Sequence, residues 1–290
     1  MIDVALASCD AYLDLHPDDR ILREALHARG LTTTVVSWTD EAYDWTGVRC
    51  CLPRNTWDYP ERAVDFDHWL GRAHELTQLW NPLRALRWNV HKRYLGDLER
   101  AGVATLPTAT FSAGAQVDLA AELDRRGWRE VVVKPAIGLS ARLGMRLSRD
   151  EIPSGQAHLD RILAKEDALV QPFARSVESR GELSLIYLDG GFSHAVVKRA
   201  APGEWRVQEE LGGTVEAALP REDEIELACR AMAVAPGELL YARVDLVRDG
   251  SDQPLLMELE LIEPVLFFGW GEGSAERLAG ALFARLARGK

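Results

Sequence analysis

Two carboxylates stand one residue apart in the apolar segment LLMELELI, which runs from Leu255 to Ile262. Successive side chains of a β-strand point to opposite faces, so Glu258 and Glu260 share one face and apolar residues occupy the other. Carboxylates in an apolar strand are costly to bury unless they are paired or bind a cation. Such oxygen donors suit Mg²⁺ that is held together with phosphates. The segment therefore indicates a magnesium site, and the alternative is an exposed sheet face with alternating polar residues.

The strand before this segment carries a second pair of charges on one face. Arg243 and Asp245 are also separated by one residue, and an Asp-Gly pair, which is a strong hairpin signal, follows them. A turn centred between residues 251 and 252 places Asp245 across from about Glu258, and Arg243 across from about Glu260, within a shift of one residue. The four charges are therefore predicted to converge, although an exposed face with an incidental Arg pair would show the same pattern.

Lysines occur at three other places where they could neutralise phosphate. An apolar strand leads into Lys134 and then into loop 136–144, whose small residues could close over phosphates. Lys92 lies within a helical pattern, and Lys198 ends a strand that follows an Asp-Gly-Gly turn. Each lysine taken alone is more typical of a solvated surface charge than of a binding site.

The first 80 residues predict a small α/β layer that precedes these charges. Residues 2–7 are typical of a buried strand, and a helix is expected from Pro17 until Gly30. Two more strands are expected over 31–38 and 48–52, and a second helical pattern starts at Pro60.

Beyond residue 82 the pattern changes to one helix and then to strands that turns connect. A single helical pattern covers 83–100 with Lys92 in its interior, and a short strand is expected near 108–111. The remaining predicted strands are 131–134, 169–173, 183–188, 192–199, 241–247 and 255–262, and the remaining helices are 154–165, 221–234 and 274–288. The fold class is therefore α/β to α+β with a substantial antiparallel sheet.

The chain is acidic as a whole, with 34 Lys and Arg against 45 Asp and Glu and a net charge of −11. Broad binding to nucleic acid or to anionic membranes is disfavoured because no overall positive charge would neutralise phosphates. Any anion site must be local, and the expected partner is a small molecule. A chain of this kind is compatible with a monomer or a homodimer.

The sequence also bears on the compartment. It lacks a run of about 18 uncharged apolar residues, and its start lacks the basic region of a secretory signal, so a cytoplasmic protein is expected. Cys9, Cys50, Cys51 and Cys229 have neither zinc spacing nor disulfide density, which predicts reduced structural thiols. A redox role for the adjacent Cys50 and Cys51 is the alternative.

The order of these motifs resembles the ATP-grasp superfamily over about residues 85–265. The ordered set comprises NxxKxxL, VVVKP, QPF, the Glu182 strand, the Lys198 strand, RVD and ELE. The resemblance is closest to the group of bacterial glutathione synthetase and D-alanine–D-alanine ligase. The run RNTWDY, which begins at Arg54, is similar to the subgroup that contains the D-cycloserine-forming cyclo-ligase.

The resemblance implies an architecture and a role for each motif. The implied domains are an N-terminal pre-ATP-grasp α/β domain (1–85), a central lid subdomain (86–172) and a C-terminal α+β subdomain with the metal site (173–290). The implied roles are α- and β-phosphate binding by Lys92 and Lys134, adenine binding by the hinge with Gln171 and Phe173, ribose binding by Glu182, ligation of two Mg²⁺ by Asp245, Glu258 and Glu260, and γ-phosphate and acyl-phosphate contacts by Arg243 and Lys198.

Two arginines are candidates for the substrate. Arg54 follows a strand of an α/β layer, where ligands gather, and an Arg can clamp a carboxylate with two hydrogen bonds. The alternative is a surface Arg54 beside packing aromatics. Arg206, in EWRVQ, resembles the Arg that glutathione synthetase presents to substrate, so it is expected to contact the acyl phosphate or the substrate carboxylate. His91 and His194 have no visible partner and are expected to be structural.

The activity implied is an ATP-dependent carboxylate–amine ligase that acts on an amino-acid-like small molecule through an acyl phosphate. ADP and phosphate would be released, and loop 136–144 and the stretch 200–213 are candidate lids that exclude water. The alternatives are an intramolecular cyclo-ligase that closes an O-ureidoserine-like substrate, and a nucleotide-binding module without catalysis. Two departures from relatives are the scarcity of Gly in loop 136–144 and the acidic Glu260, where many relatives have Asn.

Overall fold

The structure is a computed structural model that describes residues 1–139 and 141–288. Its first part contains β1 (Ile2–Ser8), α1 (Pro17–Ala28), β2 (Thr33–Ser37), β3 (Val48–Asn55), α2 (Ala63–Leu76) and β4 (Gln78–Leu79). The four strands form a parallel sheet in the order β2-β1-β3-β4. The predicted α/β layer is therefore confirmed.

The central part is a small antiparallel sheet with two helices. It contains β5 (Ala109–Phe111), α5 (Leu119–Arg126), β6 (Glu130–Pro135), β7 (Met145–Ser148), α6 (Ile152–Leu163) and β8 (Ala168–Pro172). The strand order is β5-β8-β6-β7, and a core that includes Leu123, Val133, Leu159 and Val170 holds α5 and α6 against the sheet. Strand β7 and helix α5 were not predicted from the sequence.

The third part is a five-stranded antiparallel sheet. It contains α7 (Ser176–Arg180), β9 (Glu182–Leu188), β10 (Gly191–Arg199), β11 (Thr214–Ala218), α8 (Glu222–Val234), β12 (Tyr241–Arg248), β13 (Pro254–Glu260) and α9 (Ser274–Ala287). Its strand order is β11-β10-β9-β12-β13, so β9 and β12 lie inside the sheet. The prediction of a substantial antiparallel sheet is confirmed, whereas β11 and α7 were missed.

The predicted continuous helix over 83–100 is wrong. The segment forms α3 (Leu83–Val90) and α4 (Tyr94–Arg100), and His91 between them is extended, with φ −109° and ψ 123°. The Lys92 amide donates to the carbonyl of Ala136 at 2.9 Å, which a residue inside a helix could not do. Lys92 therefore lies in a helix break that fixes it beside loop 136–144.

Two hydrophobic cores join elements from different parts of the chain. Helices α3 and α4 pack through Ala85, Leu95 and other residues against β9, β12 and β13, although residues 86–100 precede the central sheet. Helix α9 packs through Leu278 and Leu282 in the same core as β1 and α1. The three sheets occupy residues 2–79, 109–172 and 182–260, and the domain bounds 1–85, 86–172 and 173–290 stay a prediction.

Within the described part of the chain, no helix is both long enough and apolar enough to cross a membrane. The thiols of Cys9, Cys50 and Cys51 are buried and unpaired with one another, and Cys229 is an exposed free thiol. Burial raises the pKa of Cys50 to about 12, so this thiol stays protonated at neutral pH.

Candidate active site

The register of β12 and β13 brings the four predicted charges together. Arg243 pairs with Glu260 across the two strands, and Asp245 pairs with Glu258. Both strand neighbours match the register predicted from the position of the turn. A shift in the pairing between Asp245 and Leu246 separates this charged end from the rest of the hairpin.

Arg243 bridges two of the carboxylates. Its Nη2 lies 3.0 Å from Asp245 Oδ2 and 2.6 Å from Glu260 Oε1, and its Nε lies 3.1 Å from Asp245 Oδ1. The planar guanidinium can serve two carboxylates at once because its donors point in fixed directions. Arg243 is buried, so these contacts form in a low-dielectric environment.

The inner strand β9 adds a hydroxyl and a carboxylate to this face. Ser184 stands opposite Asp245 in the sheet, and its Oγ donates to Asp245 Oδ1 at 2.5 Å. Glu182 stands opposite Lys198 of β10 and forms an ion pair with it. Lys198 Nζ also lies 3.5 Å from Asp245 Oδ1. The contact of Ser184 was not predicted, although its position two residues after Glu182 placed it on the same face.

Lys92, from the break between α3 and α4, and Lys134, from β6, approach the carboxylates. Lys92 Nζ lies 2.7 Å from Glu258 Oε1 and donates to the carbonyl of Gly138 at 2.6 Å. Lys134 lies near the end of β6, where burial lowers its pKa and Glu258 partly opposes that shift. Both lysines line the same cavity as the carboxylates.

The carboxylates differ in their affinity for protons. Burial would raise the pKa of Asp245 and of Glu258, but Arg243 and Lys198 beside Asp245, and Lys92 and Lys134 beside Glu258, hold both below their ordinary values. Burial raises the pKa of Glu260 to about 7. The positive charge of Arg243 acts to lower this pKa, but the negative charges of Asp245 and Glu258 act to raise it. Glu260 therefore holds a proton more tightly than Asp245 and Glu258 do.

A cavity of about 240 Å³ lies against this face. Its wall combines residues of the hinge and its neighbours with residues of the first α/β layer and of the segment after β13. The first group includes Lys134, Gln171, Phe173, Trp205 and Arg206, and the second includes His16, Trp57, Glu263, Pro264 and Phe267. The predicted site residues other than Arg54 all line this cavity.

The hinge is paired on one side only and has an aromatic wall. Strand β5 pairs with β8 only as far as Val170, whereas on the β6 side the Phe173 amide donates to the Glu130 carbonyl at 2.9 Å. Phe173 lies edge-on to Trp205, with ring centroids 6.5 Å apart, and the guanidinium of Arg146 covers its ring at 3.7 Å. Gln171 is buried and its side chain donates to Thr108 Oγ1 at 2.9 Å, so its contribution to a ligand falls to its backbone.

The direct substrate role predicted for Arg54 does not agree with the structure. Its side chain is fully buried and lies outside the cavity wall. Its Nε binds Asp19 at 2.6 Å, and its Nη2 donates to the carbonyl of Pro264 at 2.6 Å. The charge of Asp19, against the opposing effect of burial, raises the pKa of Arg54. Arg54 therefore holds the backbone of the cavity wall at Pro264 from the protein interior.

Arg206 lies in the cavity wall as predicted, but the free protein holds it on a neighbour. Its Nη2 lies 2.7 Å from Glu204 Oε2, which helps to lower the pKa of Glu204 to about 2. The two predicted lids meet at Gly144, where an added Cβ would lie 3.2 Å from the ring of Trp205. Arg142 pairs with Glu166 in the same region, whereas Ser140 lies outside the described residues.

The donor set fits Mg²⁺ that is shared with a nucleotide. No three His, Cys, Asp or Glu side chains among residues 1–139 and 141–288 are arranged to hold a metal by themselves. Mg²⁺ usually keeps several waters and binds one or two carboxylates together with phosphates. Asp245, Glu258 and Glu260 share one cavity face through the register of the two strands. Three carboxyl groups on one face supply oxygen donors that suit a hard cation.

The two histidines have structural partners. His91 Nε2 lies 3.1 Å from Asp167 Oδ2, and His194 Nε2 lies 3.0 Å from the carbonyls of both Leu266 and Phe267. Burial is the main reason why the pKa of each histidine is lowered. Both imidazole rings therefore make these contacts in their neutral form near pH 7.

Comparisons with known proteins show which family the chain belongs to. The family described as "D-cycloserine synthetase DcsG, N-terminal domain" matches residues 4–81. The cycloserine biosynthesis protein DcsG of Streptomyces lavendulae is 33% identical over 295 residues, which cover 98% of this chain and 98% of that protein.

Solved structures give the same result. The crystal structure of D-cycloserine synthetase DcsG has a TM-score of 0.89 at 32% identity, and the match covers 98% of this chain and 99% of that one. D-Alanine–D-alanine ligase from Bacillus anthracis shares the fold at 13% identity, with a TM-score of 0.69 and coverage of 99% and 98%. The ATP-grasp ligase PsnB, solved with minimal precursor, Mg and ADP, has a TM-score of 0.66 at 15% identity, with coverage of 99% and 100%. The chain therefore belongs to the DcsG family and shares its fold with these ligases.

Proposed function

We propose that this protein is an ADP-forming ligase that activates the carboxylate of an amino-acid-like substrate with ATP and then closes a ring on a nitrogen of the same molecule. The observation that carries the proposal is the face on which Arg243, Asp245, Glu258 and Glu260 converge, in a chain 33% identical to a cycloserine biosynthesis protein. An O-ureidoserine-like amino acid is the substrate that this relationship favours.

The reaction has two steps. A carboxylate oxygen of the substrate attacks the γ-phosphorus of ATP, and the bond to ADP breaks. The nitrogen then attacks the carbonyl carbon of the acyl phosphate, loses its proton, and phosphate leaves. Catalysis of such phosphoryl transfer is mainly positioning and charge stabilisation, so a nucleophilic Ser or Cys is not required.

The chain's own cations serve the phosphates. Lys92 and Lys134 neutralise the α- and β-phosphates, and the backbone of the hinge at Gln171 and Phe173 binds adenine. Glu182 binds the ribose hydroxyls, which requires its ion pair with Lys198 to open. Lys198 is then free to face the transferred phosphoryl group.

Arg243 and Arg206 act on the reacting centre. Arg243 is held by two carboxylates and faces the charge that develops on the acyl phosphate. Arg206 leaves Glu204 to contact the substrate, and the stretch 200–213 closes with loop 136–144 to keep water from the intermediate. Asp245, Glu258 and Glu260 hold Mg²⁺, with two ions as the proposed number. When bound, Mg²⁺ supplies positive charge that stabilises the transferring phosphoryl group.

The test is ADP release by the purified protein with Mg²⁺, ATP and a panel of amino acids, dipeptides and O-ureidoserine of both configurations. ADP release with one compound alone, together with the mass of a cyclised product, is the expected result. A requirement for two compounds would replace ring closure with an intermolecular ligase. Tight ATP binding without ADP release on any panel member would favour a non-catalytic nucleotide-binding module.

A further inference from the structure

Glu263 is a buried carboxyl of the cavity wall that has no partner in the described part of the chain. The residue is 3% exposed, and no hydrogen bond is among the main causes that shift its pKa. Burial and the neighbouring Glu260 raise the pKa of Glu263 well above its ordinary value. Three cations lie near enough to act on it, and each is engaged elsewhere: Lys92 with Glu258, Arg54 with Asp19 and Arg243 with Glu260. A buried carboxyl of this kind lacks a cation.

The backbone around Glu263 is held from three sides. The indole Nε1 of Trp57 donates to the Glu263 carbonyl at 3.1 Å, and Arg54 donates to the Pro264 carbonyl at 2.6 Å. The hydroxyl of Tyr241 donates to the Ile262 carbonyl at 2.7 Å. These contacts fix the backbone that carries the Glu263 side chain in the cavity wall, so binding of a ligand there requires little ordering of the segment.

The chemistry of this part of the cavity wall favours an organic ammonium group. Trp57 and His16 line the same wall with ring centroids 5.3 Å apart. An aromatic face attracts a cation electrostatically, and a carboxylate accepts charge-assisted hydrogen bonds from an ammonium group. Mg²⁺, in contrast, prefers a shell of oxygen ligands, which an indole cannot supply.

We propose that Glu263, beside Trp57, binds the α-ammonium group of the amino-acid substrate. The inference rests on the proposed function and names how that site recognises its substrate. The ammonium group is bound at Glu263, and the carboxylate of the same α-carbon is phosphorylated near Arg243. Two substituents of that carbon are then fixed, so one further contact to the side chain is enough to distinguish the two enantiomers.

The test is a double-mutant cycle between the protein and its substrate. The wild type and Glu263→Gln are each assayed for ADP release with the active amino acid of the panel and with its analogue in which hydrogen replaces the amino group. The wild type is expected to prefer the amino compound by about tenfold or more in kcat/KM, the range of a charge-assisted hydrogen bond. Glu263→Gln is expected to lose that preference. Glu272→Gln, an exposed change further along the same loop, is the control that keeps it.

The other outcomes are distinct. If the wild type has equal kcat/KM for the two compounds, the inference is overturned without any variant. This outcome can be measured even if the Glu263→Gln protein does not fold. A variant that keeps the full preference also overturns it. A variant that needs more Mg²⁺ while it keeps the preference makes Glu263 a metal-site residue instead. Wild-type protein that releases no ADP with any amino acid overturns the proposed function, and the inference with it.

Discussion

At the scale of single residues, Glu258→Gln is the most informative test of the proposed metal site. Glu258→Gln keeps the shape of the side chain but removes the charge that faces Lys92 at 2.7 Å. We expect kcat for ADP release to fall about 100-fold or more, in the range for loss of one preorganised electrostatic contact, and the Mg²⁺ requirement to rise. Titration of activity with Mg²⁺ measures both effects.

The matched control is Glu216→Gln on the edge strand β11. Its side chain is 62% exposed and its ion pair with Arg199 spans 3.8 Å, so no change in activity is expected. Wild-type rates and an unchanged Mg²⁺ requirement in Glu258→Gln would exclude Glu258 from the metal site.

Arg54 is expected to matter for stability and not for direct substrate contact. Arg54→Met leaves Asp19 buried without its partner, which costs about 3–5 kcal/mol of unfolding free energy. The double variant Arg54→Met with Asp19→Leu is expected to recover much of that loss because the unpaired charge of Asp19 is removed as well. Urea unfolding of the three proteins measures the difference. If Arg54→Met has wild-type stability but a raised KM, the result would support direct binding of the substrate carboxylate by Arg54.

Asp18 gives a pH dependence with a definite sign. Burial and Asp19 raise its pKa from 3.8 to about 6, so the folded state holds the proton more tightly than the unfolded state. The stability that this provides is complete below about pH 4 and is lost as the pH rises through 6. Asp18→Asn does not titrate, so its unfolding free energy relative to wild type should improve by roughly 3 kcal/mol between pH 4 and pH 7. A constant difference across that range would contradict the shift.

The predictable part of the site is the part that lies within one hairpin. The register of Arg243 with Glu260 could be predicted because an Asp-Gly turn and two-residue alternation determine it locally. The burial of Arg54 could not, since its partner Asp19 lies 35 residues away and the Pro264 carbonyl lies 210 residues away. Sequence periodicity carries no information about such distant contacts.

At the scale of elements, Gly181 sets how closely β9 approaches β10. Its φ is +82°, and an added Cβ would lie 2.5 Å from the Lys198 carbonyl, which is backbone and cannot move aside. Gly181→Ala is therefore expected to displace Glu182 from Lys198. We expect a loss of stability of more than about 2 kcal/mol, above the cost of positive φ alone, and weaker ATP binding.

Gly190 provides the matched comparison. Its φ is +78° in the turn between β9 and β10, but an added Cβ would meet no atom within 4 Å. Gly190→Ala should therefore cost only about 1–2 kcal/mol and leave ATP affinity unchanged. Thermal unfolding and ATP titration of both variants give the comparison, and equal effects of the two would assign the cost to backbone strain alone.

Elements with strong periodicity were predicted, and those that depend on their surroundings were missed. Helices α1, α6, α8 and α9 and the inner strands of the third sheet follow their apolar patterns. Strands β7 and β11 are short edge strands, with a single buried residue each, so their alternation is weak. The break at Lys92 follows from a hydrogen bond to Ala136, a tertiary contact that overrides the helical pattern of 83–100.

At the scale of the whole molecule, the reactivity of the cysteine thiols shows whether the first α/β layer stays packed. Cys9, Cys50 and Cys51 lie in the first α/β layer at exposures of 3%, 0% and 0%, whereas Cys229 of α8 is exposed. A thiol reagent should therefore label one cysteine rapidly in the native protein and four after unfolding. Mass spectrometry of a labelling time course identifies each site. Rapid native labelling of Cys50 would show that the layer opens readily.

Helix α9 links the last part of the described chain to the first. Leu278 and Leu282 complete the core that contains Leu6 and Leu22, and the Leu286 carbonyl accepts a hydrogen bond from Arg49 at 2.7 Å. During translation, at about 5–20 residues per second, α9 leaves the ribosome on the order of tens of seconds after β1. Throughout that interval the apolar side chains of β1 and α1 lack their cover. The nascent N-terminal layer is thus a target for chaperones until α9 emerges.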